Sequence, residues 1–100
     1  MIYDKVEGKY TKQFLSITVR KNIRKYRLIN GYTLQKLADL AGFTHGYVRD
    51  LECLTLNKTP TLESLGSFAN ALNIDIRQLF DEVEINLIHE DQKDDYKLKT

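Results

Sequence analysis

Apolar residues fall at helical spacing along most of this chain. Val19, Ile23 and Tyr26 stand at i, i+4 and i+7, with Arg20, Lys21, Arg24 and Lys25 between them, and Asn30-Gly31 supplies a turn signal at the end. Leu34, Leu37, Ala38 and Ala41 make a second face at i, i+3, i+4 and i+7. Phe43 follows, then Val48 and Leu51 three apart. Gly42 lies at the break, where a helix end favours a left-handed residue. Thr33 and Thr44 sit where N-caps belong, one before each set. Residues 33–52 therefore predict two short helices joined by a tight turn at Gly42.

A loop from Cys53 to Pro60 comes next. Thr61 is then placed to cap a helix carrying Leu62, Leu65, Phe68, Ala69 and Leu72 on one face. Asn73-Ile74-Asp75 interrupts the pattern, and Asp75 is placed to cap a last short helix with Ile76, Leu79 and Phe80. The first sixteen residues show no clean period and predict an arm or short strand. Residues 83–88, VEINLI, alternate as a strand does, and residues 89–100 have the composition of a solvated tail. The expected division is an arm at 1–17, an all-α domain of five helices at 18–81, and an extension at 82–100.

One hundred residues, 42% of them apolar, suffice for a single core and not for two. There is no run of 18 apolar residues and no secretory signal pattern, so neither membrane nor export is expected. The single cysteine, Cys53, has no internal disulfide partner, which fits a reducing cytoplasm. A net charge of +1 speaks against nucleic acid on its own, but the charges are unevenly placed. Residues 1–60 carry eleven Lys and Arg against five Asp and Glu, whereas residues 61–100 carry four against nine. That asymmetry suggests a basic working half, unless it is chance segregation on solvated faces.

Enzyme chemistry lacks its parts. The two histidines, His45 and His89, and Cys53 are far apart in sequence and in no metal-ligand spacing. No glycine-rich phosphate loop follows a strand, and no nucleophile-elbow pattern occurs. No catalytic role, metal or cofactor is expected.

The chain resembles the Cro and phage-repressor family of helix-turn-helix DNA-binding domains, also called the xenobiotic response element family. The resemblance rests on Ile23, Arg24, Arg27, Gly31, Thr33, Leu37, Ala38, Gly42, Tyr47, Val48, Leu51, Glu52, Pro60, Leu65, Ala69, Ala71, Leu72, Ile74, Leu79 and Phe80, and it spans roughly residues 19–80. Three departures accompany it. Leu54 stands where the family often has glycine, and the interval from Glu52 to Pro60 looks about two residues longer than usual, both in the loop that in the family lies against DNA. Leu34 stands where the family often places a phosphate-holding glutamine.

The resemblance implies a lambda-repressor-like domain that binds double-stranded DNA, with residues 44–52 as the helix in the major groove. Base contacts would fall on His45, Gly46 and Asp50, with Arg49 at the margin. Arg reads guanine through O6 and N7, and Asp accepts from cytosine N4. Gly46 would let the helix approach closely; the alternative is a glycine merely tolerated near an N-cap. Phosphate contacts would fall on Thr33, Gln35, Thr44, Tyr47, Asn57, Lys58 and Thr59, helped by N–H groups at helix starts. For Tyr47 the alternative is packing on the 53–60 loop; for Asn57, Lys58 and Thr59 it is a plain solvated loop. Arg24 and Lys25 would add long-range attraction. Arg27 and Glu52 are implied as a structural ion pair. Cys53 is either a redox switch or a bystander thiol.

A single module of this kind buries little surface on DNA, so a homodimer on a palindromic operator is expected. The contexts implied are a phage or mobile-element repressor, a restriction–modification controller or a stand-alone bacterial regulator. The alternative class is an antitoxin-like or other protein-interaction module.

Overall fold

A threonine opens each α-helix of the described chain. The computed structural model describes residues 8–82, with helices α1 (Lys12–Ile29), α2 (Leu34–Ala41), α3 (His45–Glu52) and α4 (Leu62–Leu72), then a 3₁₀ helix at Ile76–Phe80. The hydroxyls of Thr11, Thr33, Thr44 and Thr61 accept from the N–H groups of Phe14, Lys36, Tyr47 and Ser64 at 3.0–3.1 Å. Each satisfies a donor that a helix start leaves without an intrahelical partner. Two helices end on left-handed residues. Gly42 (φ 81°) lets Phe43 N–H reach back to the Ala38 carbonyl, and Asn73 (φ 60°) does the same for Ile74 and Ala69.

Every element contributes to one core. Val19 and Ile23 from α1, Leu37 and Ala38 from α2, Val48 and Leu51 from α3, Leu65, Phe68, Ala69 and Leu72 from α4, and Leu79 from the 3₁₀ helix are all buried. Ala38 is fully buried, as a small residue at the approach of two helices should be.

Two expectations need revision. Helix α1 begins at Lys12, so residues 12–17 are helix rather than arm, and a boundary at 17/18 falls inside it. The reason is chemical: the buried side of α1 includes Ser16, Thr18, Arg20, Asn22 and Arg27, whose polar groups hide the apolar period. The fifth helix is a single 3₁₀ stretch closed by a capping box between Asp75 and Gln78, not an α-helix. No strand occurs among the described residues, and the strand and tail expected at 83–100 lie outside them. No helix among the described residues is long and apolar enough to cross a membrane.

Candidate nucleic-acid interface

Burial of Val48 and Leu51 fixes which face of α3 looks outward. His45 and Arg49, one turn apart, lie exposed on that face. Arg49 Nε donates to Asp50 Oδ1 at 3.2 Å, so two candidate base readers hold each other sideways in the free protein. Gly46 is half-buried. A Cβ built there would meet only Arg49 Nη2, at 3.5 Å, which is ordinary contact with a flexible side chain. The fold makes no demand for glycine at 46, in contrast to Gly42.

Tyr47 is half-buried and packs against the edge of the core. Its ring lies 4.8 Å from Phe43 and stacks at 6.4 Å over Phe68, and its hydroxyl donates to Ser64 Oγ on α4 at 3.3 Å. Thr33 and Thr44 are exposed and use their oxygens as caps, leaving each hydroxyl proton to donate outward. Gln35 is exposed on the first turn of α2 and donates to Asp39 Oδ1 at 2.8 Å. Asn57, Lys58 and Thr59 are exposed in the loop between α3 and α4.

Arg27 and Glu52 form a two-pronged pair joining α1 to the end of α3: Nε to Oε2 at 2.7 Å and Nη2 to Oε1 at 2.9 Å. Arg27 Nη1 also donates to the Tyr32 carbonyl at 2.8 Å. Arg24 Nε adds a longer contact of 3.7 Å to Glu52. Lys25 lies over the Tyr26 ring at 5.2 Å.

Three residues of α1 that spacing gave no reason to single out hold other segments in place. The Arg20 guanidinium, 3% exposed, donates Nε to the Leu51 carbonyl, Nη1 to Lys58, and Nη2 to both Cys53 and Leu56, at 2.7–2.9 Å. Ser16 Oγ donates to the same Lys58 carbonyl at 2.7 Å. Burial pushes the Arg20 pKa below its usual value. Asn22 Nδ2 donates to the Leu79 and Asp81 carbonyls, both at 2.8 Å, and ties the chain's last described turn to α1. The only cue in sequence was that Ser16, Arg20 and Asn22 interrupt one side of an otherwise apolar helix. Cys53 is exposed, and the Thr55 hydroxyl beside its thiol lowers its pKa.

A helix-turn-helix family model matches residues 23–79, from the middle of α1 to the end of the 3₁₀ helix. The chain belongs to the helix-turn-helix family. Its type is that of Cro and the phage repressors. Solved structures agree with this helix-turn-helix fold. The restriction–modification controller protein C.AhdI from Aeromonas hydrophila is 29% identical, with a TM-score of 0.58 over 65% of this chain and 96% of that one. The clp gene regulator ClgR from C. glutamicum is 28% identical, with a TM-score of 0.59 over 65% and 82%. The hypothetical transcription factor NHTF from Neisseria is 26% identical, with a TM-score of 0.64 over 77% and 86%. A search of curated proteins returned no match. In helix-turn-helix terms α2 is the first helix of the motif, Gly42 its turn and α3 its second helix.

Proposed function

We propose that this helix-turn-helix protein is a sequence-specific regulator of transcription that docks α3 in the major groove of double-stranded DNA and acts as a homodimer on a palindromic operator. One observation carries the reading: Val48 and Leu51 are sunk in the core while His45 and Arg49 stand exposed on the other side of the same eight-residue helix. A helix held this way presents its N-terminal half to base edges. His45, Gly46, Arg49 and Asp50 are its readers. Thr33, Gln35, Thr44, Tyr47, Asn57, Lys58 and Thr59 face the flanking phosphates, and they fix register rather than sequence.

The similarity to a restriction–modification controller and to other regulators supports this class. Phage or mobile-element repressor, restriction–modification controller and stand-alone bacterial regulator are the contexts this reading admits. The test is selection of bound fragments from genomic DNA, followed by titration of the selected duplex. Affinity is expected to fall tenfold or more between about 50 and 200 mM salt as Lys and Arg displace phosphate counterions. Folded protein that binds no duplex at low salt and co-purifies with a second polypeptide would instead make it an antitoxin-like interaction module.

A further inference from the structure

The loop after the recognition helix is organised around one buried cation. Among the described residues all four partners of the Arg20 guanidinium are main-chain carbonyls, drawn from Leu51, Cys53, Leu56 and Lys58. A buried guanidinium needs its donors satisfied, and here inward-turned peptide groups do so. A trans peptide is planar, so its C=O and the N–H of the next residue point opposite ways. No peptide bond among the described residues is cis. Carbonyls 56 and 58 point at Arg20, so the N–H groups of Asn57 and Thr59 point away from it. Both residues are exposed, and neither N–H donates to any acceptor among the described residues. In contrast, the N–H groups of Leu56 and Lys58 close turns inside the loop, onto Cys53 and Leu56.

Resting on the DNA-binding reading above, we propose that Arg20 is a positioning residue of the DNA interface: its guanidinium aligns the loop's peptides so that the Asn57 and Thr59 N–H groups form a seat for one DNA phosphate. Two effects add. The loop is ordered before DNA arrives, so less conformational entropy is lost on binding. A full positive charge with no carboxylate bonded to it among the described residues also stands behind the aligned dipoles and raises the potential at their N–H ends. Lysine cannot replace it, because an ammonium lacks the planar fork that spans four carbonyls. The loop is also where Leu54 and a longer interval depart from the family pattern, and Arg20 gives that longer loop a fixed course.

The test compares wild-type protein with Arg20→Lys and Arg20→Gln on the selected duplex, well below each melting temperature. Ethylation interference maps the phosphates, and single-base operator variants report base preference. Both variants are expected to bind about tenfold more weakly, to lose interference at one phosphate per half-site, and to keep the wild-type base preference. A merely structural arginine would lower the melting temperature and leave the phosphate map of the folded protein unchanged, which overturns the proposal. A changed base preference overturns it too, by placing the effect in α3. Should both variants unfold, amide resonances of the wild-type protein decide: Asn57 and Thr59 shift downfield as duplex is added if they hold phosphate, and stay in place if they do not. Failure of the wild-type protein to bind any duplex is a different result, which removes the DNA-binding reading itself.

Discussion

Arg20, Arg24 and Arg27 share one helix and one side-chain type, yet burial separates them. Arg27 is gripped by Glu52, with side-chain exposures of only 11% and 8% for the pair. Arg27→Ala is expected to cost about 3 kcal/mol, chiefly by leaving Glu52 poorly paired; denaturant unfolding measures it. This pair was legible because resemblance placed both partners. Arg20 was not, because its partners are carbonyls, and main-chain groups leave no mark in the order of residues. The readers make a different prediction. His45→Ala and Arg49→Ala should each change which base is preferred, by about 1–3 kcal/mol of discrimination at the affected pair. Lys58→Ala should weaken all sequences alike and make the salt slope shallower by about one unit. Affinities on single-base operator variants at two salt concentrations separate the two classes. Unchanged preference in both reader variants would show that α3 does not meet the bases through these side chains.

At the scale of elements, three of the four threonine caps could be read from spacing, because each precedes an apolar period. Thr11 could not, because Ser16 and Thr18 follow it where apolar residues would have announced a helix. Caps and turns also separate two glycines that sit close together in sequence. Gly42 has φ 81° with open space around it, so Gly42→Ala meets backbone strain alone and should lower stability by about 1 kcal/mol. Gly46→Ala should leave the melting temperature unchanged or raised, since alanine favours helix and its Cβ has room. Its effect should appear in DNA affinity instead, as the added methyl group holds α3 off the groove. The 3₁₀ helix carries a pH dependence. Side-chain hydrogen bonds from Arg77 bring the Asp75 pKa from 3.8 to about 2. A carboxylate with a depressed folded pKa contributes stability above its unfolded pKa and loses it as pH falls through the folded value. The stability gap between wild type and Asp75→Asn should therefore be full above about pH 4 and close towards pH 2. Thermal unfolding across that range checks it; a gap that does not vary with pH would mean that the Asp75 charge contributes nothing to the cap.

For the whole molecule, the division of labour follows the chain. The basic first sixty residues hold α3 and its loop, and the 3₁₀ helix closes the domain where Asn22 binds the Leu79 and Asp81 carbonyls. Closure leaves apolar surface behind: Ile76 and Phe80 remain 39% and 41% exposed. Val83, Ile85 and Leu87, which lie outside the described residues, continue the apolar sequence beyond them. Exposed apolar residues grouped at one end of a domain are commonly covered by a partner. A two-fold dimer joined there would present two copies of α3 to successive turns of one groove, as a palindromic operator requires. Chain truncated after Asp81 keeps every core residue and both Asn22 bonds, so it should fold. It should nevertheless sediment as a monomer and bind the full operator far more weakly than a half-site comparison would suggest, because the second recognition helix no longer arrives with the first. Sedimentation of both forms and titration on whole and half operators make the comparison. Undiminished mass and affinity in the truncated chain would move the subunit contact away from this end and onto another face of the domain.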